Sequence, residues 1–141
     1  MVSKLLVTVL ALCLLALVSK VWGAPLPRYG TFVYSSLCGD PVGDIGGYSL
    51  TLRRTPKGDE LDYTYGAGPL FGSSVRDLKV RSDHLTARVL TGEGEQLRLS
   101  ATLGDHEAIV IEEPDPPVAV RDGPQHLPRV PRVPKRFPDC R

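Results

Sequence analysis

The chain has 141 residues, with 17 basic and 16 acidic side chains and a formal net charge of +1. That length suits one ordinary domain. The near-neutral balance argues against a nucleic-acid binder.

Met1-Val2-Ser3-Lys4 carries one positive charge, Leu5 to Val18 is an apolar run of 14 residues, and Val21-Trp22-Gly23 offers a signal peptidase its small or moderate side chains. This is the order of a secretory signal. An uncleaved anchor would need roughly 20 apolar residues, and Lys20 interrupts this run. A lipoprotein reading of Leu10-Ala11-Leu12-Cys13 would want a small residue where Leu12 stands. Residues 1–23 are therefore expected to be a signal peptide, leaving 118 residues (141 minus 23) from Ala24. Losing Lys4 and Lys20 leaves 15 basic and 16 acidic side chains, a net charge of about −1. The expected location is secreted or periplasmic, with no stable membrane insertion after cleavage.

Two cysteines remain, Cys38 and Cys140. In an exported chain an even count implies a bridge, here spanning 102 residues (140 minus 38). Closing a loop near that length is worth up to about 4.7 kcal/mol in the chain-entropy model.

Pro25 and Pro27 open the mature chain as a short extended lead-in. The first expected strand is Tyr29 to Cys38, aromatic and β-branched as strands prefer. Gly39 to Gly47, with four glycines, two aspartates and Pro41, reads as a loop. Strands follow at Tyr48 to Arg54 and Glu60 to Tyr65, joined by the turn Thr55-Pro56-Lys57-Gly58-Asp59. Gly66 to Gly72 breaks regular structure yet carries Leu70 and Phe71, two large apolar side chains on a pliable tip. The next strand, Ser74 to Arg81, has Val75 out of phase with Leu78 and Val80, which marks a bulge.

The clearest signal comes next. Leu85, Ala87 and Val89 alternate with Thr86 and Arg88; Leu97, Leu99, Ala101 and Leu103 alternate with Arg98, Ser100 and Thr102. A period of two on each side of Thr91-Gly92-Glu93-Gly94 predicts a hairpin. Glu107 to Glu113 holds Ala108-Ile109-Val110-Ile111, apolar on both faces, as in a strand covered from two sides.

At Pro114 the composition changes, and 8 of the last 28 residues are proline. No central strand is expected there. Leu127 to Lys135 repeats every three residues, the polyproline II period. This segment carries six basic and three acidic residues, against nine and 13 in Ala24 to Glu113. It reads as an extended basic strap, held to an acidic body by Cys140.

Catalytic and metal patterns are scarce. No G-x-S-x-G, phosphate loop or H-E-x-x-H occurs. His84 and His106 each follow an aspartate and are read as turn residues rather than zinc ligands. Asp40 and Asp44 lack the ordered spacing of a calcium loop and are read as turn formers. Glu112 and Glu113 are adjacent on a strand, so they point to opposite faces and do not act on one bond. Pro131 to Arg136 fits a proline-rich ligand pattern, but a structural strap is the better reading in an exported chain.

Gly30-Thr31-Phe32 resembles the glycine-x-aromatic opening of lipocalin-like barrels, with Phe32 standing where that family usually has Trp. The resemblance covers one strand and implies no site residues.

The expected fold is all-β: one small domain of about seven antiparallel strands in meander order, a small barrel or curled sheet, with a flat sandwich as alternative. The domain spans 24–113, and the proline-rich segment 114–141 is tethered by the disulfide. The expected core is Tyr48, Leu50, Leu52, Leu61, Tyr63, Leu78, Val80, Leu85, Val89, Leu97, Leu99, Leu103 and Val110. The expected function is a non-catalytic binding module, monomeric, with no cofactor or metal. Its partner would be a protein or an envelope component, contacted through Leu70 and Phe71. The alternatives are a lipocalin-like carrier of a small apolar ligand and a hydrolase with an unrecognised site. N-terminal sequencing of the exported protein is expected to begin at Ala24; a membrane-bound product starting at Met1 would show an anchor.

Overall fold

The computed structural model describes residues 26–115 and 123–140. The signal segment expected over residues 1–23 lies outside them. Ten strands follow one another: β1 (Gly30–Ser35), β2 (Cys38–Gly39), β3 (Ile45–Thr55), β4 (Gly58–Gly68), β5 (Leu70–Gly72), β6 (Ser74–Arg81), β7 (His84–Leu90), β8 (Gln96–Leu103), β9 (Glu107–Pro114) and β10 (Gln125–Val130). No helix occurs among the described residues.

The strands pair antiparallel in the order β5-β4-β3-β1-β10-β9-β8-β7-β6, with β2 beside β3. Only Ser73 separates β5 from β6, yet these two stand at opposite ends of that order. The stretch from Leu70 to Arg81 thus pairs first with β4 and then with β7. The sheet comes nearly full circle into a barrel. At the seam Ser73 N donates to Tyr63 O at 3.1 Å, and Arg54 Nη1 donates to Ser82 O at 3.4 Å. Where β3 and β4 bend over one mouth, Gly47 faces Gly66. A Cβ on Gly47 would lie 2.3 Å from Ser36 O, and φ there is +87°, so only glycine fits.

The class is the all-β meander expected, but with ten strands among the described residues rather than seven. β2 and β5 are two and three residues long, too short to show alternation. β10 corrects a firmer expectation, that no central strand forms after Pro114. It lies between β1 and β9 with Pro128 inside it. Arg129 N donates to His106 O next to β9, so the nitrogen of Pro128 points the other way, towards β1. There the ladder consists only of Val33 with Val130 and Tyr34 with Arg129. Proline sits where no strand hydrogen bond is asked of it. A second correction concerns β9, expected to be covered from two sides: nothing from the described tail lies over its outer face. The tail joins β9 edge to edge, and Ile111 is left 42% exposed.

Alternation fills the barrel. Leu50, Leu52, Leu61, Tyr63, Leu85, Val89, Leu97, Leu99, Leu103 and Val110 are buried as expected, while Tyr48, Leu78 and Val80 pack at its margin. Leu26, Phe32, Tyr34, Ala87, Ala101, Ala108 and Leu127 complete it. The register shift between Arg76 and Lys79, with Asp77 at φ 53°, is the bulge that returns Leu78 and Val80 to the core side.

After Val130 the tail leaves the ladder and reaches β2. Gly39 N donates to Pro138 O at 2.8 Å and Cys140 N to Gly39 O at 3.1 Å. Cys38 and Cys140 form a disulfide, packed against Gly46. Leu127 tests the placement of β10. As a fully buried side chain, its truncation in Leu127→Ala is expected to lower stability by about 2–5 kcal/mol in a denaturant titration. A residue on a surface strap would cost within about 0.5 kcal/mol.

Candidate functional site

Both mouths of the barrel are occupied by the protein's own side chains. At one, Tyr34 OH donates to Gly104 O at 2.9 Å and the Arg129 guanidinium lies 5.2 Å from the Phe32 ring centre. Burial raises the Tyr34 phenol's pKa, with Arg129 opposing and Asp105 adding to the shift. At the other mouth, Tyr63 stacks on Tyr48 with ring centres 6.2 Å apart and donates to Glu112 Oε1 at 2.5 Å. Burial foremost, then the Glu112 carboxylate, pushes the Tyr63 phenol far above its usual range. It stays a neutral donor, which is what the inward Glu112 requires of it.

The pair Leu70-Phe71 is divided by the period of the strand. In the β4–β5 ladder Phe71 faces Tyr65 and Leu70 faces Gly66, so the two side chains leave on opposite faces. Phe71 stacks on Tyr65 at 5.3 Å, while Tyr65 OH donates to Glu93 Oε2 at 3.0 Å. A Cβ on Gly92 would lie 3.0 Å from Phe71 Cδ1, so the turn between β7 and β8 closes tightly on the ring. Leu70 points outward and is 43% exposed.

Leu70 borders a groove of about 600 Å³ on the outside of the barrel. Its floor comes from outward positions of three adjacent strands: Thr31 and Val33 of β1, Ser49, Thr51 and Arg53 of β3, and Asp62 and Thr64 of β4. The tail residues Pro131, Arg132 and Val133 form the far wall. Val133 is 39% exposed, so two apolar side chains face solvent across a floor rich in hydroxyls. Arg53 bonds Asp62 at 2.5 Å and Glu60 at 3.3 Å, so the cation of that floor is held by two carboxylates. Ser73 also lines the groove, and its Oγ is buried with no hydrogen-bond partner in the protein.

The other residues singled out from the sequence lie elsewhere. Asp40 Oδ1 accepts from Val42 N and Asp44 N, both at 2.9 Å, which organises the turn before β3. His84 Nε2 lies 3.4 Å from Ser100 Oγ, and His106 contributes its carbonyl to Arg129 N. Glu112 points into the barrel mouth and Glu113 faces Arg98 outside. Among the described residues no three His, Cys, Asp or Glu side chains gather into a metal-binding group. Sequence reasoning found Leu70 but missed Val133 and the threonine floor. The register of β1 against β3 and the path of the tail bring these together, and neither has a local sequence signal.

Comparison of the chain with family models, curated proteins and solved structures finds no match in any of the three. Phe71 and Leu70 make opposite predictions. Phe71→Ala is expected to cost about 2 kcal/mol in a chemical melt, roughly half the loss of a fully buried ring. Leu70→Ala is expected to stay within about 0.5 kcal/mol.

Proposed function

We propose that the protein is an exported, non-catalytic binding module that holds an extended segment of a protein partner in the groove between Leu70 and the tail. The observation that carries this reading is the pairing of Leu70 and Val133, both exposed, across one groove of about 600 Å³. Exposed apolar side chains flanked by polar groups are how contact sites are built. Hydroxyls on Thr31, Thr51 and Thr64 supply hydrogen bonds to a peptide backbone.

Export is supported by the Cys38–Cys140 bridge, which fits an oxidising compartment. No described helix is long and apolar enough to cross a membrane. The carrier alternative is weakened by the interior: a small barrel either fills with side chains or holds one small ligand. Here Tyr34, Tyr63 and a set of leucines occupy that space, each almost fully buried.

A displayed random-peptide library panned on the folded, disulfide-bonded protein tests the reading. Enriched peptides are expected to carry apolar anchors and to lose at least about tenfold in affinity on Leu70→Asp or Val133→Asp, a change of 1.4 kcal/mol or more, with unchanged melting temperature. Equal enrichment on wild type and Leu70→Asp would overturn it. Stoichiometric uptake of an apolar dye that survives both substitutions would restore the carrier reading.

A further inference from the structure

Register places three arginines side by side on the opposite wall of the barrel. Arg76 of β6 faces Arg88 of β7, and Arg88 faces Arg98 of β8. All three are exposed on the outer face. The next outward row is Lys79, Thr86 and Ser100, and the one beyond it Arg81, His84 and Thr102. Strands lie about 4.8 Å apart, so the arginine row is a regular ladder of cations with hydroxyls below it.

Like charges directly opposite on neighbouring strands are destabilising. Acidic neighbours soften this row without cancelling it. Asp77 Oδ2 lies 3.7 Å from Arg88 Nε, Asp115 Oδ1 lies 3.9 Å from Arg98 Nη2, and Glu113 is the cross-strand partner of Arg98. The two contacts are long and join well-exposed groups, with Arg88 and Arg98 side chains 67% and 58% exposed, so they are weak. On the groove side, Arg53 is held by two carboxylates at 2.5 and 3.3 Å. The barrel thus neutralises its cations on one wall and leaves them available on the other. Two shallow depressions of about 350 and 310 Å³ flank Arg88.

We infer that this wall binds an extended acidic polysaccharide, whose sulfate or carboxylate groups seat in successive guanidinium forks. The planar fork takes such oxyanions two hydrogen bonds at a time, and the hydroxyls of Thr86, Ser100 and Thr102 suit sugar hydroxyls. A single-stranded nucleic acid fits less well, because its bases need aromatic platforms. The outward positions of β6, β7 and β8 carry no aromatic ring besides the His84 imidazole. The inference is independent of the groove, which lies on other strands.

The test uses the exported protein on surfaces bearing dextran sulfate or polygalacturonate, which separate the sulfate from the carboxylate source. Binding to at least one is expected, weakening as salt is raised. Arg88→Gln/Arg98→Gln is expected to lose about tenfold or more in affinity, and Arg53→Gln to lose nothing. Relief of the row's repulsion should also raise the melting temperature of Arg88→Gln at low ionic strength, and not at high. Failure to bind either polymer at low salt would overturn the inference, as would wild-type affinity in the double variant. Tighter binding of single-stranded DNA or anionic vesicles through the same arginines would overturn the glycan assignment.

Discussion

Two registers meet on β10. Leu127 faces Ala108 of β9, while Arg129 and Val130 face Tyr34 and Val33 of β1. Without this strand, β1 and β9 would both be open edges, and Phe32, Tyr34, Ala108 and Val110 would lose their shared interior. The ladder to β1 is only two residue pairs long, too little to hold two ends of a chain together. A second fastening follows directly: the tail continues to β2, bonds Gly39 twice through the backbone, and ends in the Cys38–Cys140 bridge. A link across 102 residues removes much of the freedom the open chain would otherwise keep. The closure of the barrel and the disulfide are one device, made at the pair of strands where sequence separation is largest.

That device explains which parts of the fold were legible in the sequence. The β3–β4, β7–β8 and β8–β9 hairpins are local; alternation marks β3, β4, β7 and β8, and an apolar run marks β9. Leu85 and Leu97 were assigned to the core from that alternation alone, and they are buried. β10 was hidden because Pro128 reads as a strand breaker. Its tolerance depends on which neighbour its nitrogen faces, and only the assembled sheet decides that. Leu127 went with it, because Leu127-Pro128-Arg129-Val130 puts an apolar and a charged residue on the same face and shows no alternation.

The candidate surfaces were legible in a similar, uneven way. Leu70 and Phe71 stood out as apolar residues among glycines, but the three-residue strand β5 that sends them to opposite faces carries no signal of its own. Arg88 opposite Arg98 follows from the hairpin around Gly92 and Gly94 once its register is counted. Arg76 joins the row only because the bulge at Asp77 shifts the register between Arg76 and Lys79. Without that extra residue, either Arg76 or Lys79 would be turned inward, and Val75 or Val80 outward.

The bulge therefore has two consequences. It protects the edge at β6, where a positive-φ Asp77 and the charges of Arg76 and Lys79 discourage another chain from pairing. It also sets the third arginine of the row. The barrel's own leucines and tyrosines pack its interior, whereas on the outside side-chain identity is free of core packing. The two walls use that freedom differently. The β1–β3–β4 wall ties Arg53 to two carboxylates and leaves Leu70 and Val133 uncovered across a groove. The β6–β7–β8 wall is tiled with cations whose partners lie 3.7 and 3.9 Å away. Nothing in the folding of the barrel requires three arginines in register; any polar residue would serve at those outward positions and repel less. Their alignment is a cost to the folded state that a bound polyanion would offset.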